Sequence, residues 1–145
     1  RDNKLVVPDA LSADGTPIDL TRIRTPAYIQ AGREDHISPP DSVFRMTRHL
    51  RGPLRFLLAG SGHIAGVVNP PSAQKYQYWI NDAACTSLDE FISGATEHPG
   101  SWWPDWIEWI RQHGDKTVAA RGKRKPGGKN DPVIEPAPGS YVKTR

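Results

Sequence analysis

The chain has 145 residues, a net charge of +3, five histidines and one cysteine. That length suits one globular domain. A single cysteine excludes an internal disulfide framework and a cysteine-based metal site. No apolar run approaches the ~20 residues that cross a bilayer, so no membrane span is expected, and a cytoplasmic setting fits best.

The charge is unevenly placed. Residues 1–114 carry eleven basic and thirteen acidic side chains, whereas residues 115–145 carry eight and three. The division expected is therefore a body, 1–114, followed by a basic, Gly/Pro-containing tail, 115–145. Residues 115–133 are rich in Lys, Arg and Gly without apolar periodicity, and are expected to be disordered. A hydrophobic content of 37% agrees with an unpacked portion. The chain opens on Arg1 rather than an initiator methionine, and a piece of a longer protein is expected.

In chain order, residues 1–25 read as loop and short strand. Leu5-Val6-Val7 stops at Pro8, Asp14-Gly15 signals a turn, and Asp19–Ile23 forms a helical turn. Ala27–Ala31 is a short strand closed by Gly32; Thr25, preceding Pro26, is biased towards extended backbone. Pro39-Pro40-Asp41-Ser42 caps a helix over about Ser42–Leu50, broken by Gly52-Pro53. Leu54–Ala59 is a second, more apolar strand ending at Gly60-Ser61-Gly62. Strand, helix and strand form a βαβ unit with parallel strands, so the fold class is α/β. After Pro70-Pro71 comes a mixed segment with Tyr76, Tyr78 and Trp79. Ser87-Leu88-Asp89-Glu90 is a capping box opening a helix to about Ala95. A last helix runs from Ser101 to Gln112, its stripes of Trp102, Trp106, Trp109 and Ile110 beside Trp103 and Ile107 suited to core contact. An exposed dimer or apolar-polymer surface is the other reading.

Two polar sites sit where this topology matters. Arg33-Glu34-Asp35-His36 follows the first strand and Gly62-His63 follows the second. Parallel strands end on the same edge of a sheet, and open α/β sheets bind ligands there. Asp35 and His63 can therefore meet, with the carboxylate accepting the imidazole Nδ1–H and leaving Nε2 free as a base. Each has a duller reading alone: Asp35 as a cap or a partner of Arg33, His63 as a structural histidine. Their order, acid then histidine, matches that of the α/β-hydrolases. Glycines around Ser61 would admit positive φ in the histidine loop, and Ile64-Ala65-Gly66 would keep water from the base.

A nucleophile is not found. Ser61 lacks the Gly-x-Ser-x-Gly spacing, and Cys85 lacks flanking glycines and follows the histidine; it is read as incidental. His36, beside the acid, is read as a surface or structural residue rather than a substrate contact, His49 as solvated and His98 as part of a Pro-Gly loop. No zinc-ligand spacing and no cofactor motif is present.

Longer strings carry a family resemblance. They are Gly32-Arg33-Glu34-Asp35-His36-Ile37, Ser61-Gly62-His63 through Pro70-Pro71, Gly100-Ser101-Trp102-Trp103-Pro104-Asp105-Trp106, and Ile134-Glu135-Pro136 through Lys143. The chain resembles class I polyhydroxyalkanoate synthases in the C-terminal part of their α/β-hydrolase-type catalytic domain. That resemblance implies an acyltransferase polymerising (R)-3-hydroxyacyl-CoA with release of coenzyme A. His63 would deprotonate an upstream cysteine, and Asp35 would orient His63 and assist the 3-hydroxyl. It also implies a growing polyester partner, a homodimer and a cytoplasmic granule surface, with no nucleic acid, cofactor or metal. Without the upstream cysteine this chain is expected to be inactive alone, and its unpaired sheet edge to make it poorly soluble. Two alternatives stay open: a serine α/β-hydrolase fragment using the same Asp35 and His63, and a non-catalytic granule-binding module.

Overall fold

A computed structural model describes residues 2–119 and 132–144. Contacts divide the chain into two units, Arg1–Gly114 and Asp115–Arg145.

The first unit begins with a 3-10 turn at Lys4–Val6 and a small hairpin of β1 (Ser12–Ala13) and β2 (Thr16–Pro17). Asp14 and Gly15, at φ 47° and 73°, form its two-residue loop, the positive-φ pair that matches strand twist. A 3-10 turn over Leu20–Arg22 follows, capped by Asp19 through the Thr21 amide at 2.9 Å.

The principal sheet has the order β3 (Ala27–Gly32), β4 (Leu54–Ala59), β5 (Gln77–Ile80), β6 (Thr96–Pro99). β3 and β4 pair in parallel with Ala27 opposite Leu54 and Gly32 opposite Ala59. The two apolar strands thus stay in step to their carboxyl ends. β5 and β6 were not expected. They add antiparallel to β4, so the sheet is mixed. Both are four residues long and half-exposed to exposed apart from Ile80, and neither carries the apolar run that marks β4. His98 consequently lies on β6, not in a loop, with its ring stacked on Tyr78 at 5.1 Å. Among the described residues β3 is the sheet's other edge.

Helices cover both faces. α1 (Pro40–Phe44) continues as a 3-10 turn over Arg45–Arg48, shorter and tighter than the continuous helix expected to Leu50. Four positively chargeable side chains between Arg45 and Arg51, with β-branched Thr47, give little incentive for a longer α-helix. α2 (Leu88–Ser93) opens at Ser87, whose Oγ accepts the Glu90 amide at 3.1 Å. With α1 and α2, Ile29, Ala31, Phe56 and Leu58 form one core. Phe44 and Phe91 meet Phe56 edge-on, at 4.9 Å in each case. The alternate positions Leu57 and Ala59 face a second core with Ile80 and Trp102. β4 is thus buried on both faces, as period-two geometry requires of a strand between two helix layers.

α3 (Trp103–Arg111) carries Pro104 in its first turn, where a missing N–H costs little. Its inner side is aromatic: Tyr28 lies 6.0 Å from Trp102 and 5.5 Å from Trp109. Trp106, Ile107 and Ile110 are exposed, so the broad apolar stripe divides between core and surface.

In the second unit, residues 120–131, most of the segment expected to be disordered, lie outside the described residues. A 3-10 turn at Ser140–Lys143 is preceded by Glu135, whose Oε1 accepts the Ser140 amide at 2.8 Å.

Candidate active site

The carboxyl ends of β3 and β4 continue as two loops laced together by backbone. Arg33 N–H donates to Ala59 O at 2.8 Å, and Glu34 N–H donates to Ser61 O at 3.2 Å. Gly32 lies between them: a Cβ there would sit 3.2 Å from both Asp35 Cβ and Ser61 O. Glycine lets the loops approach this closely; a Cβ would push them apart by a few tenths of an ångström.

Asp35 is buried, at 8% exposure. Its Oδ1 accepts the amides of Ile37 and Ser38, each at 2.9 Å. Its Oδ2 lies 2.8 Å from His63 Nδ1. A buried carboxylate persists only with such partners. The Ser38 amide and then the imidazole bond outweigh the cost of burial and hold the Asp35 carboxyl below its ordinary value of 3.8. It is an acceptor at neutral pH, an arrangement that favours a proton on Nδ1 of the imidazole.

The two expected site residues are therefore neighbours across 28 positions of sequence. Details of the loop differ from expectation. Ser61, not a glycine, takes the positive φ of 78°. Ile64 is 75% exposed and the His63 side chain 46% exposed, so the following apolar residues do not shield the imidazole within this chain. Water reaches it. His36 is exposed beside the buried Asp35.

Cys85 lies apart, lining a concavity with Phe44, Phe56, Asn81 and Phe91 that includes neither Asp35 nor His63. Burial pushes its thiol up, the opposite of an activated nucleophile. Its Sγ donates to Ala83 O at 3.3 Å.

Two groups of residues around the site were not anticipated. Trp102 Nε1 donates to Gly66 O at 2.9 Å and Trp103 Nε1 to Val67 O at 3.0 Å, both in the turn after His63. Asp105 accepts from Tyr28 Oη at 2.8 Å and from Arg55 Nε at 2.9 Å, joining α3 to β3 and β4. Burial, then the Asp105 bond, pushes the Tyr28 phenol well above its ordinary range. Arg55 is the one signal in the sequence, a charge inside the otherwise apolar Leu54–Ala59.

Fold and site together define an α/β chain bearing a carboxylate–imidazole pair where two parallel strands end. No family model matches the chain. Named relatives do. The chain is 46% identical over 144 residues to the poly(3-hydroxyalkanoate) polymerase subunit PhaC of Cupriavidus necator. It is 49% identical over 132 residues to the protein of the same name from Rhizobium etli. To poly(3-hydroxyalkanoate) polymerase 2 of Ectopseudomonas oleovorans it is 40% identical over 143 residues. These alignments cover 99%, 91% and 99% of this chain, but 24%, 20% and 25% of the relatives. The chain is similar over nearly its whole length to poly(3-hydroxyalkanoate) polymerases and spans a fifth to a quarter of the length of the curated relatives it matches.

Proposed function

We propose that this chain supplies the acid and base of an α/β-hydrolase-type acyltransferase that polymerises (R)-3-hydroxyacyl-CoA into polyhydroxyalkanoate. The 2.8 Å contact between Asp35 Oδ2 and His63 Nδ1 carries the site assignment. The likeness to polymerases of that name supplies the substrate class.

The chemistry follows from the free Nε2. No Gly-x-Cys-x-Gly occurs in these 145 residues, so the nucleophile comes from the rest of the protein. His63 Nε2 takes the proton of a cysteine thiol, and the thiolate attacks the thioester carbonyl. The bond from carbonyl carbon to the coenzyme A sulfur breaks, and the imidazolium returns its proton to that sulfur. A 3-hydroxyl then attacks the cysteine-bound acyl group, giving up its proton to His63 as the new ester forms and the thiolate departs. Asp35 keeps the Nδ1–H tautomer and stabilises the imidazolium in each half-reaction. The exposed imidazole suits a surface that the rest of the protein covers. Homodimerisation and attachment to a cytoplasmic granule belong to the same reading, with the exposed Trp106, Ile107 and Ile110 as available apolar surface.

The test is coenzyme A release from 3-hydroxybutyryl-CoA by the full-length protein and its His63→Ala variant. Loss of release in the variant, with inactivation of the parent by a thiol alkylator, is expected. Unchanged release would remove His63 as the base. Dependence on His63 with indifference to thiol reagents would point to a serine nucleophile instead.

A further inference from the structure

The segment after His63 is a single tight turn. Gly66 N–H donates to Gly62 O at 2.8 Å, and Val68 N–H donates to Ile64 O at 2.8 Å. A Cβ at Gly66 would meet Gly62 O at 2.7 Å, so the turn closes too tightly there for any side chain. Like the end of any helical segment, it leaves late carbonyls in need of donors from outside. Those donors are two consecutive indoles. Trp102 Nε1 reaches Gly66 O and Trp103 Nε1 reaches Val67 O, each across 36 positions of sequence.

The indoles are themselves held. Trp102 is buried against Tyr28, and Ser101 Oγ accepts the Trp103 amide at 3.1 Å. One turn on, Asp105 bonds both Tyr28 of β3 and Arg55 of β4, the strands that lead to Asp35 and His63. α3 is thus tied to the strands through Asp105 and to the histidine turn through its paired tryptophans. By contrast, the His63 side chain is 46% exposed, with its Nδ1 bonded to Asp35. Apart from that bond, its direction depends on the backbone that carries it.

We infer that Trp102 and Trp103 are positioning residues, whose indole N–H groups clamp the Gly66 and Val67 carbonyls and so set the His63 imidazole against Asp35. The inference rests on His63 being the base. Displacement of a reacting group by about 1 Å costs on the order of a hundredfold in rate. Loss of one N–H from a two-point clamp is expected to lower kcat about tenfold, and loss of both further.

The test uses the full-length enzyme with each tryptophan replaced in turn by phenylalanine and by β-(3-benzothienyl)alanine, which keeps the bicyclic shape and replaces N–H by sulfur. Expected is a fall in kcat for both replacements at Trp103, with KM for the acyl-CoA within about twofold and Tm unchanged for the sulfur analogue. Should Trp102→Phe fail to fold, the half-buried Trp103 still decides the matter. Full kcat in the Trp103 sulfur analogue overturns the clamp, because shape alone then suffices. A rise in KM and a fall in kcat that simply track a lowered Tm overturn it also. His63→Ala run alongside separates the two claims: retained activity removes the base itself, whereas His63-dependent activity indifferent to the indole N–H removes only the clamp.

Discussion

Asp35 and His63 differ sharply in their surroundings although they touch. The Asp35 side chain is 7% exposed and that of His63 46% exposed, with 2.8 Å between Oδ2 and Nδ1. The carboxylate is fixed by two backbone amides on its other oxygen, so the buried partner is the rigid one. The imidazole is oriented from behind and open in front. That asymmetry suits a base that must meet a group arriving from elsewhere in the protein.

Asp35→Asn tests the orientation. An asparagine oxygen can still accept the Ile37 and Ser38 amides, but its NH2 would then face Nδ1 and favour the wrong tautomer. On the proposed reading, kcat of the full-length protein is expected to fall roughly 10²–10⁴-fold, the usual span of general acid–base catalysis. Steady-state coenzyme A release measures it, and a loss of less than about threefold would contradict the role.

The same substitution has a pH signature in stability. The folded-state pKa of Asp35 is lowered from 3.8, the Ser38 amide being the first cause. Its contribution is therefore present above the ordinary carboxylate value and lost as pH falls through the lower folded value. Urea unfolding of parent and Asp35→Asn is expected to show a steady difference near neutrality, shrinking as pH falls through 3.8 and below. A difference that instead vanished between neutrality and that value would contradict the ionised, amide-held carboxylate.

Asp105→Ala tests the tie between α3 and the strands. It leaves the Tyr28 hydroxyl and the Arg55 guanidinium without their shared acceptor. With the Arg55 side chain 27% exposed and that of Asp105 15%, water compensates in part, and a loss of about 1–3 kcal/mol is expected. Chemical denaturation reads it; a change within about 0.5 kcal/mol, the level of an ordinary surface substitution, would show that the pair holds nothing.

What the sequence revealed follows from how each feature is made. Ala27–Gly32 and Leu54–Ala59 are apolar runs bounded by Pro and Gly, and a βαβ unit has one favoured arrangement, so the meeting of Asp35 and His63 was legible. Gln77–Ile80 and Thr96–Pro99 were not. Their pairing is dictated by β4 and by one another, and Thr96-Glu97-His98-Pro99 has no alternation to read. The Trp102 and Trp103 bonds were equally hidden, because an indole donating to a distant backbone carbonyl leaves no periodic trace. Their apolar character was plain; their use as donors was not. The water exposure of His63 was misjudged because Ile64, the first of the residues expected to shield it, is 75% exposed.

The most direct measurement is proton NMR of the His63 ring in the full-length protein labelled with ¹⁵N-histidine. A slowly exchanging, downfield Nδ1–H resonance that disappears in both Asp35→Asn and His63→Ala is the expected result. A His63 ring whose two nitrogens exchange freely, with a spectrum unaltered by Asp35→Asn, would show that the carboxylate does not hold the imidazole.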